Sequence, residues 1–192
     1  MKKKGLALVL ALALMVVGAV GGTLAWLTAK SDTVTNTFTT SNITVKLEEK
    51  EGAAVTGGKE FKMIPGYTIR KDPTVTVLAN SEDCFLFVKL DKSTNFDTFL
   101  SYTMAADWNE LEGTNGTVYY RTVEGDQIGT PYSVLKDNQV TVNGNVTKEQ
   151  MNDMDEGKIA KPTLTITAYA SQLYKSAGVK FKPAEAWANV KP

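Results

Sequence analysis

The sequence contains no histidine. That absence removes Ser-His-Asp and Cys-His catalysis and every His-ligated zinc site, H-E-x-x-H included. Cysteine is almost missing too: Cys84 stands alone, so no internal disulfide can form and the core and hydrogen bonds must carry the fold. There is no cationic excess. Without Lys2, Lys3 and Lys4, 18 basic residues face 21 acidic ones, a net charge of −3. No basic stripe appears, so nucleic acid is not an expected partner. Beyond residue 25 no apolar run reaches transmembrane length. No G-x-S-x-G, P-loop or Rossmann fingerprint is present, and nothing local supports a Ser-Lys dyad. The expectation is a non-enzyme with no cofactor.

What is present starts with a leader. Lys2, Lys3 and Lys4 form a basic n-region before the apolar run Leu6–Val20. In Thr23-Leu24-Ala25 small residues stand at the two positions a signal peptidase reads, so cleavage is expected between Ala25 and Trp26. An uncleaved anchor is the alternative, because Gly5–Gly22 would nearly cross a bilayer core, and it would be the one tie to a membrane. The expected organisation is 1–25 signal peptide, 26–40 N-terminal extension and 41–192 β-domain, long enough for a sizeable core. Trp187–Pro192 reads as neither hydrophobic tail nor sorting signal. Retention at a surface is then expected to need association with another molecule.

Trp26–Thr40 is Thr-rich extended chain with poor alternation. Val34, Asn36 and Phe38 share one face; Thr33, Thr35 and Thr37 share the other. Such a segment buries little as an internal strand. It suits strand donation to another subunit, where main-chain hydrogen bonds supply the affinity. A flexible arm and a conventional first strand are the alternatives. Asn42–Glu49 alternates cleanly, with Ile43, Val45 and Leu47 on one face, and Glu48–Gly58 reads as a charged, Gly-rich loop. Pro65 and Gly66 mark a turn, Asp72-Pro73 breaks two short strands, and Cys84–Leu90 should turn Leu86, Val88 and Leu90 inward. Phe85 and Phe87 would then meet a second layer or an interface.

These residues carry a resemblance. A leader ending in GGT-x-A, an aromatic, then F-T-x-x-N-I-x-V-x-L is similar to the TasA/camelysin family of exported fibre-forming proteins of Gram-positive biofilm matrix. The proline-glycine turn, the lysine-aspartate-proline, the V-x-V strand ending in Asn80 and the aromatic V-K-L strand resemble the same family. The resemblance implies secretion to the matrix or cell surface, a dedicated signal peptidase, and partners that are further copies or related matrix subunits. It also implies a jelly-roll-like antiparallel β-sandwich, the class reached independently from about eight short strands between turns. Camelysin-type relatives are described as metallopeptidases. This chain offers no ligand set for that chemistry, so the activity is not carried over.

Ser93–Gly116 loses the period of two, and Asn95–Leu100 and Asp107–Leu111 read as short helical turns. Strands resume at Val118–Val123 and Gln139–Val142. Thr147 and Gln150 have capping-box spacing before a helix that would lay Met151 and Met154 on the core. Lys161–Gln172 is the most regular strand: Leu164, Ile166, Ala168 and Ala170 on one face, Thr165, Thr167 and Tyr169 on the other. Its alanines suggest another layer close by. A short helix is expected over Pro183–Val190, and the Ala186-Trp187 pair again resembles the family.

Candidate chemistry is sparse. Asp153, Asp155 and Glu156 beside Gly157 offer hard oxygen ligands but lack the EF-hand pattern, so no metal site is assigned. Glu48 and Glu49 read as loop charge. Cys84 reads as a buried thiol, with an intermolecular disulfide as the alternative. Two functions fit: a fibre subunit joined by N-terminal strand donation, or a monomeric surface adhesin or ligand-binding sandwich using 93–117 as its binding loop.

Overall fold

The run Cys84-Phe-Leu-Phe-Val-Lys-Leu90 sends apolar side chains to both sides of one extended strand, and the fold is arranged around it. In the computed structural model, which describes residues 42–55 and 58–192, the run lies in β6 (Cys84–Lys92). Numbered along the chain, β6 is central in a four-stranded antiparallel sheet of order β12 (Leu164–Gln172), β6, β9 (Val118–Val123), β8 (Asn109–Glu110). A three-stranded sheet joins β1 (Val45–Glu48), β5 (Thr74–Val77) and β10 (Pro131–Ser133). Another joins β4 (Thr68–Arg70), β11 (Gln139–Val142) and β7 (Leu100–Ser101). Two hairpins complete the set: β2 (Ala53–Val55) with β3 (Gly58–Glu60), and β13 (Tyr174–Ser176) with β14 (Val179–Lys180). The helices are short: α1 (Phe96–Phe99), α2 (Lys148–Asp155) and α3 (Pro183–Ala188). The protein is therefore mainly β, made of small antiparallel sheets, and no closed barrel forms among the described residues.

Both faces of β6 are buried, as its composition demands. Cys84, Leu86, Val88 and Leu90 enter the main core with Val75, Val77 and Val142. Phe85 and Phe87 enter a second cluster with Leu111, Val118 and Leu173, closed by Ala186 and Trp187 of α3. Leu86 and Phe87 have no exposed surface, and burial of each stabilises the fold by about 1.5–3 kcal/mol.

Local signals explain the boundaries. The Tyr67 N–H donates to the Ile64 carbonyl at 3.0 Å, with Gly66 at φ 79°, a type II turn that glycine enters without strain. At α2 the Gln150 N–H donates to Thr147 Oγ1 (3.2 Å), and the Thr147 N–H donates to Gln150 Oε1 (2.9 Å). Met154 is buried beneath that helix and Met151 partly so.

Several expectations need correction. Residues 48–58 are not simply a loop, since β2 and β3 pair within and beyond them. Asp72 organises that turn by accepting the Lys50 and Glu51 N–H groups at 3.0 and 2.9 Å. Asp107–Leu111 is no helical turn: a turn closed by the Trp108 N–H on the Ala105 carbonyl leads into β8. Leu47 is 37% exposed rather than inward. Instead of about eight strands, the described residues form fourteen, because two-residue segments such as β7 and β8 pair only in tertiary context.

An open strand edge as candidate functional site

β12 is nine residues long and lies at the edge of its sheet. The direction of its peptide groups follows from its ladder with β6. At one end the Ser93 N–H donates to the Thr163 carbonyl, and at the other the Leu173 N–H donates to the Asp83 carbonyl, both at 3.0 Å. The register between them is unbroken. In an antiparallel pair, hydrogen-bonded and non-hydrogen-bonded residues alternate. Thr165, Thr167, Tyr169 and Ser171 therefore face β6 with their N–H and C=O groups. Leu164, Ile166, Ala168, Ala170 and Gln172 turn theirs outward, and no described strand pairs with them.

The other sheet edges are much shorter. β1 has four residues, β10 and β4 three each, and β7 and β8 two each. Proteins blunt long edges with lysine, proline or bulges, yet Leu164–Gln172 holds no charge, no proline and no register shift. The side chains of Leu164, Ile166, Ala168 and Ala170 pack on the main core, which anchors the strand, while none of the described strands covers its outer edge. β1 approaches β12 to within 8 Å between Cα atoms without pairing. At the Gln172 end a cleft of about 310 Å³ opens between Asn42, Ile43, Glu82, Ala170, Gln172 and Val190. The described chain enters at this cleft, with the Leu78 N–H donating to the Thr44 carbonyl at 2.8 Å. Chemically, the edge can bind one extended peptide through its main chain.

The expected site residues divide sharply. Ala25 and Trp26 of the cleavage site, and Val34, Asn36 and Phe38 of the donor strand, lie outside the described residues. Cys84 has no exposed surface; burial, with a smaller contribution from Asp83, pushes its thiol up to about 12. An intermolecular disulfide at Cys84 would require β6 to open. Asp153 and Glu156 both pair with Lys158, at 3.3 and 2.6 Å, and no metal-ligating cluster exists among the described residues. Glu49 departs from its reading as loop charge. It forms a largely buried ion pair with Lys71 at 2.8 Å, while Glu48 pairs with Lys46 on the surface. Residues 93–117 are drawn inward, with Phe96, Phe99, Trp108 and Leu111 all buried.

An open acceptor edge is expected from the sequence, but which edge it is was not readable there. Its signal was there in the uncharged regularity of Leu164–Gln172, but which side of a strand stays unpaired depends on sheet order. Among the described residues no helix is long and apolar enough to cross a membrane. Compared with protein-family models, with curated proteins and with solved structures, the chain matches none.

Proposed function

We propose that the protein is an exported structural subunit that assembles into extracellular fibres by strand donation, as its resemblance to the TasA/camelysin family implies. The observation that carries this reading is the uncharged, nine-residue edge of β12, with which no strand of the described residues pairs. Residues 26–40 of one copy pair with that edge on the next. Each subunit then gives one strand and receives one, a heterologous contact that propagates as an open filament. Main-chain bonding lets the Thr-rich donor bind despite its modest side chains, and occupation removes an aggregation-prone edge. Two features support the donor's route: Asn42 and Ile43 line the cleft at the end of β12, and β1 runs close by. On this reading the β1–β5–β10 and β12–β6–β9–β8 sheets, which share the main core, are the two leaves of a jelly-roll-like sandwich.

The test is electron microscopy of the exported protein beside a variant lacking 26–38 and single prolines at Val34, Asn36 and Phe38. The deletion, and at least the proline whose N–H meets the acceptor, should give folded monomers that do not elongate. A 26–40 peptide should cap wild-type growth. Fibres of normal width from the deletion variant would sink the strand-donation reading.

A further inference from the structure

Lys71 follows β4 and carries its charge into the fold. Its Nζ donates to both carboxylate oxygens of Glu49, at 2.8 and 2.9 Å, and the two side chains are only 12% and 19% exposed. Every other ion pair of the described residues is more exposed. The centroid of the Phe61 ring lies 5.2 Å from the same Nζ, so an aromatic face borders the pair.

Opposite Lys71 stands Asn138. The ladder between β4 and β11 pairs Arg70 with Gln139, and one step further the Lys71 N–H donates to the Asn138 carbonyl at 2.8 Å. Lys71 lies two residues beyond Ile69, and Asn138 two before Val140. Ile69 and Val140 both pack on the main core, so alternation puts Lys71 and Asn138 on that same face. Directly opposed residues hold their Cβ atoms about 4.5–5.5 Å apart, a gap that a lysine side chain spans. The Asn138 Oδ1 is buried without a hydrogen-bond partner, and such a group in a folded protein calls for an explanation.

A primary amine, a carboxylate touching it and a carboxamide across the ladder are the complete set for making a side-chain amide. We propose that the protein cross-links itself here: Lys71 Nζ joins Asn138 Cγ in an isopeptide bond, with Glu49 as the catalytic proton carrier. Glu49 takes a proton from the Lys71 ammonium, and the freed lone pair attacks Cγ. That proton passes to Nδ2, the Cγ–Nδ2 bond breaks, and ammonia leaves. The surplus proton on the new Nζ–Cγ link returns to Glu49 and departs with the ammonia as ammonium. Nothing is oxidised or reduced, and no further reactant is needed. The fold supplies the rate by holding amine, carboxamide and carboxylate within one molecule. The product ties β4 to β11 covalently in a chain whose single cysteine allows no internal disulfide. It forms within one copy, so it stands whether or not copies assemble.

Mass spectrometry of the trypsin-digested protein tests this. The link blocks cleavage after Lys71, so residues 71–89 and 137–148 should appear as one branched peptide, lighter than their sum by one ammonia. Glu49→Gln keeps the side chain's shape but cannot carry the proton, and should reduce the linked fraction at least about tenfold. Lys71→Arg should abolish it, leaving 137–148 unlinked. Unlinked 72–89 and 137–148 in full yield from the wild type overturn the proposal. So does loss of ammonia from 137–148 without linkage, which would place a succinimide at Asn143-Gly144 instead. Linkage undiminished in Glu49→Gln overturns the role of Glu49. If the variants do not fold, the wild-type digest decides alone.

Discussion

The indole of Trp187 stands edge-on to the Tyr169 ring, centroids 5.2 Å apart at 86°, and lies 5.3 Å from Phe87. Six residues of α3 could not persist as an isolated helix. These contacts, with Ala186 fully buried, fasten α3 to the face of the four-stranded sheet opposite the main core. Trp187→Ala should therefore cost about 2–4 kcal/mol, at or below the range for a fully buried tryptophan because the ring is only half-buried. Urea unfolding measures it. A loss within about 0.5 kcal/mol, the size of an ordinary surface change, would mean the second cluster does not depend on the helix.

Asp72 gives the fold an acid-sensitive point. Burial pushes its carboxyl up, but the Glu51 and Lys50 N–H donors outweigh that and hold it below its ordinary 3.8. A carboxyl lowered on folding contributes stability that is complete above the unfolded value and lost as pH falls through the folded one. The Asp72 contribution is thus present at neutral pH and disappears below 3.8. Asp72→Asn should lower the melting temperature at pH 7 by about 1–2 °C, a small effect because the group is only partly buried. The gap between variant and wild type should close as the pH drops below 4. A gap of constant size across that range would assign the effect to geometry rather than charge.

Cys84 should behave as part of the core. With no exposed surface and a thiol pushed to about 12, it should resist a thiol reagent at neutral pH and react once denaturant opens β6. Cys84→Ser should cost about 1–3 kcal/mol through an unpaired buried hydroxyl. Fibre yield should be unchanged, with or without reductant. Rapid labelling of the native protein would show that β6 opens readily.

Much of the fold was legible because particular residues permit one arrangement. The unbroken apolar run around Phe85 and Phe87 requires two buried faces. Pro65-Gly66 demands its turn, and Thr147 with Gln150 demands its cap. Other elements had no local signature. β2 and β3 spell Ala-Ala-Val and Gly-Lys-Glu, and the segment leading into them is held by Asp72, twenty-one residues beyond Glu51. β10 begins at Pro131 and pairs with Thr76 across more than fifty residues. The candidate site was half legible: the regularity of β12 stood out, but not its place at the edge of the described sheet. The stacking of Arg121 on the Tyr132 ring, 3.6 Å from its centroid, with Trp108 5.6 Å away, was invisible, since the two rings reach it from separate segments.

The direction of the β12 peptide groups makes the last expectation specific to a single residue. Thr167 pairs with Lys89 and turns its N–H toward β6, whereas Ala168 turns its N–H away. Proline removes the N–H at whichever position it occupies, and sheets tolerate it where that N–H faces outward from an edge strand. Thr167→Pro leaves the Lys89 carbonyl without its donor, a loss of about 1–3 kcal/mol before any strain in the strand. Ala168→Pro breaks no ladder bond and should cost less. Their effects on assembly should be reversed in weight: Ala168→Pro should fold and yet fail to elongate, because it deletes a donor that an incoming strand needs. Urea unfolding and electron microscopy of the two variants read the two properties separately. If Ala168→Pro is the less stable of the pair, the ladder alternates in the opposite sense. If it folds and still builds wild-type fibres, the acceptor lies on another edge.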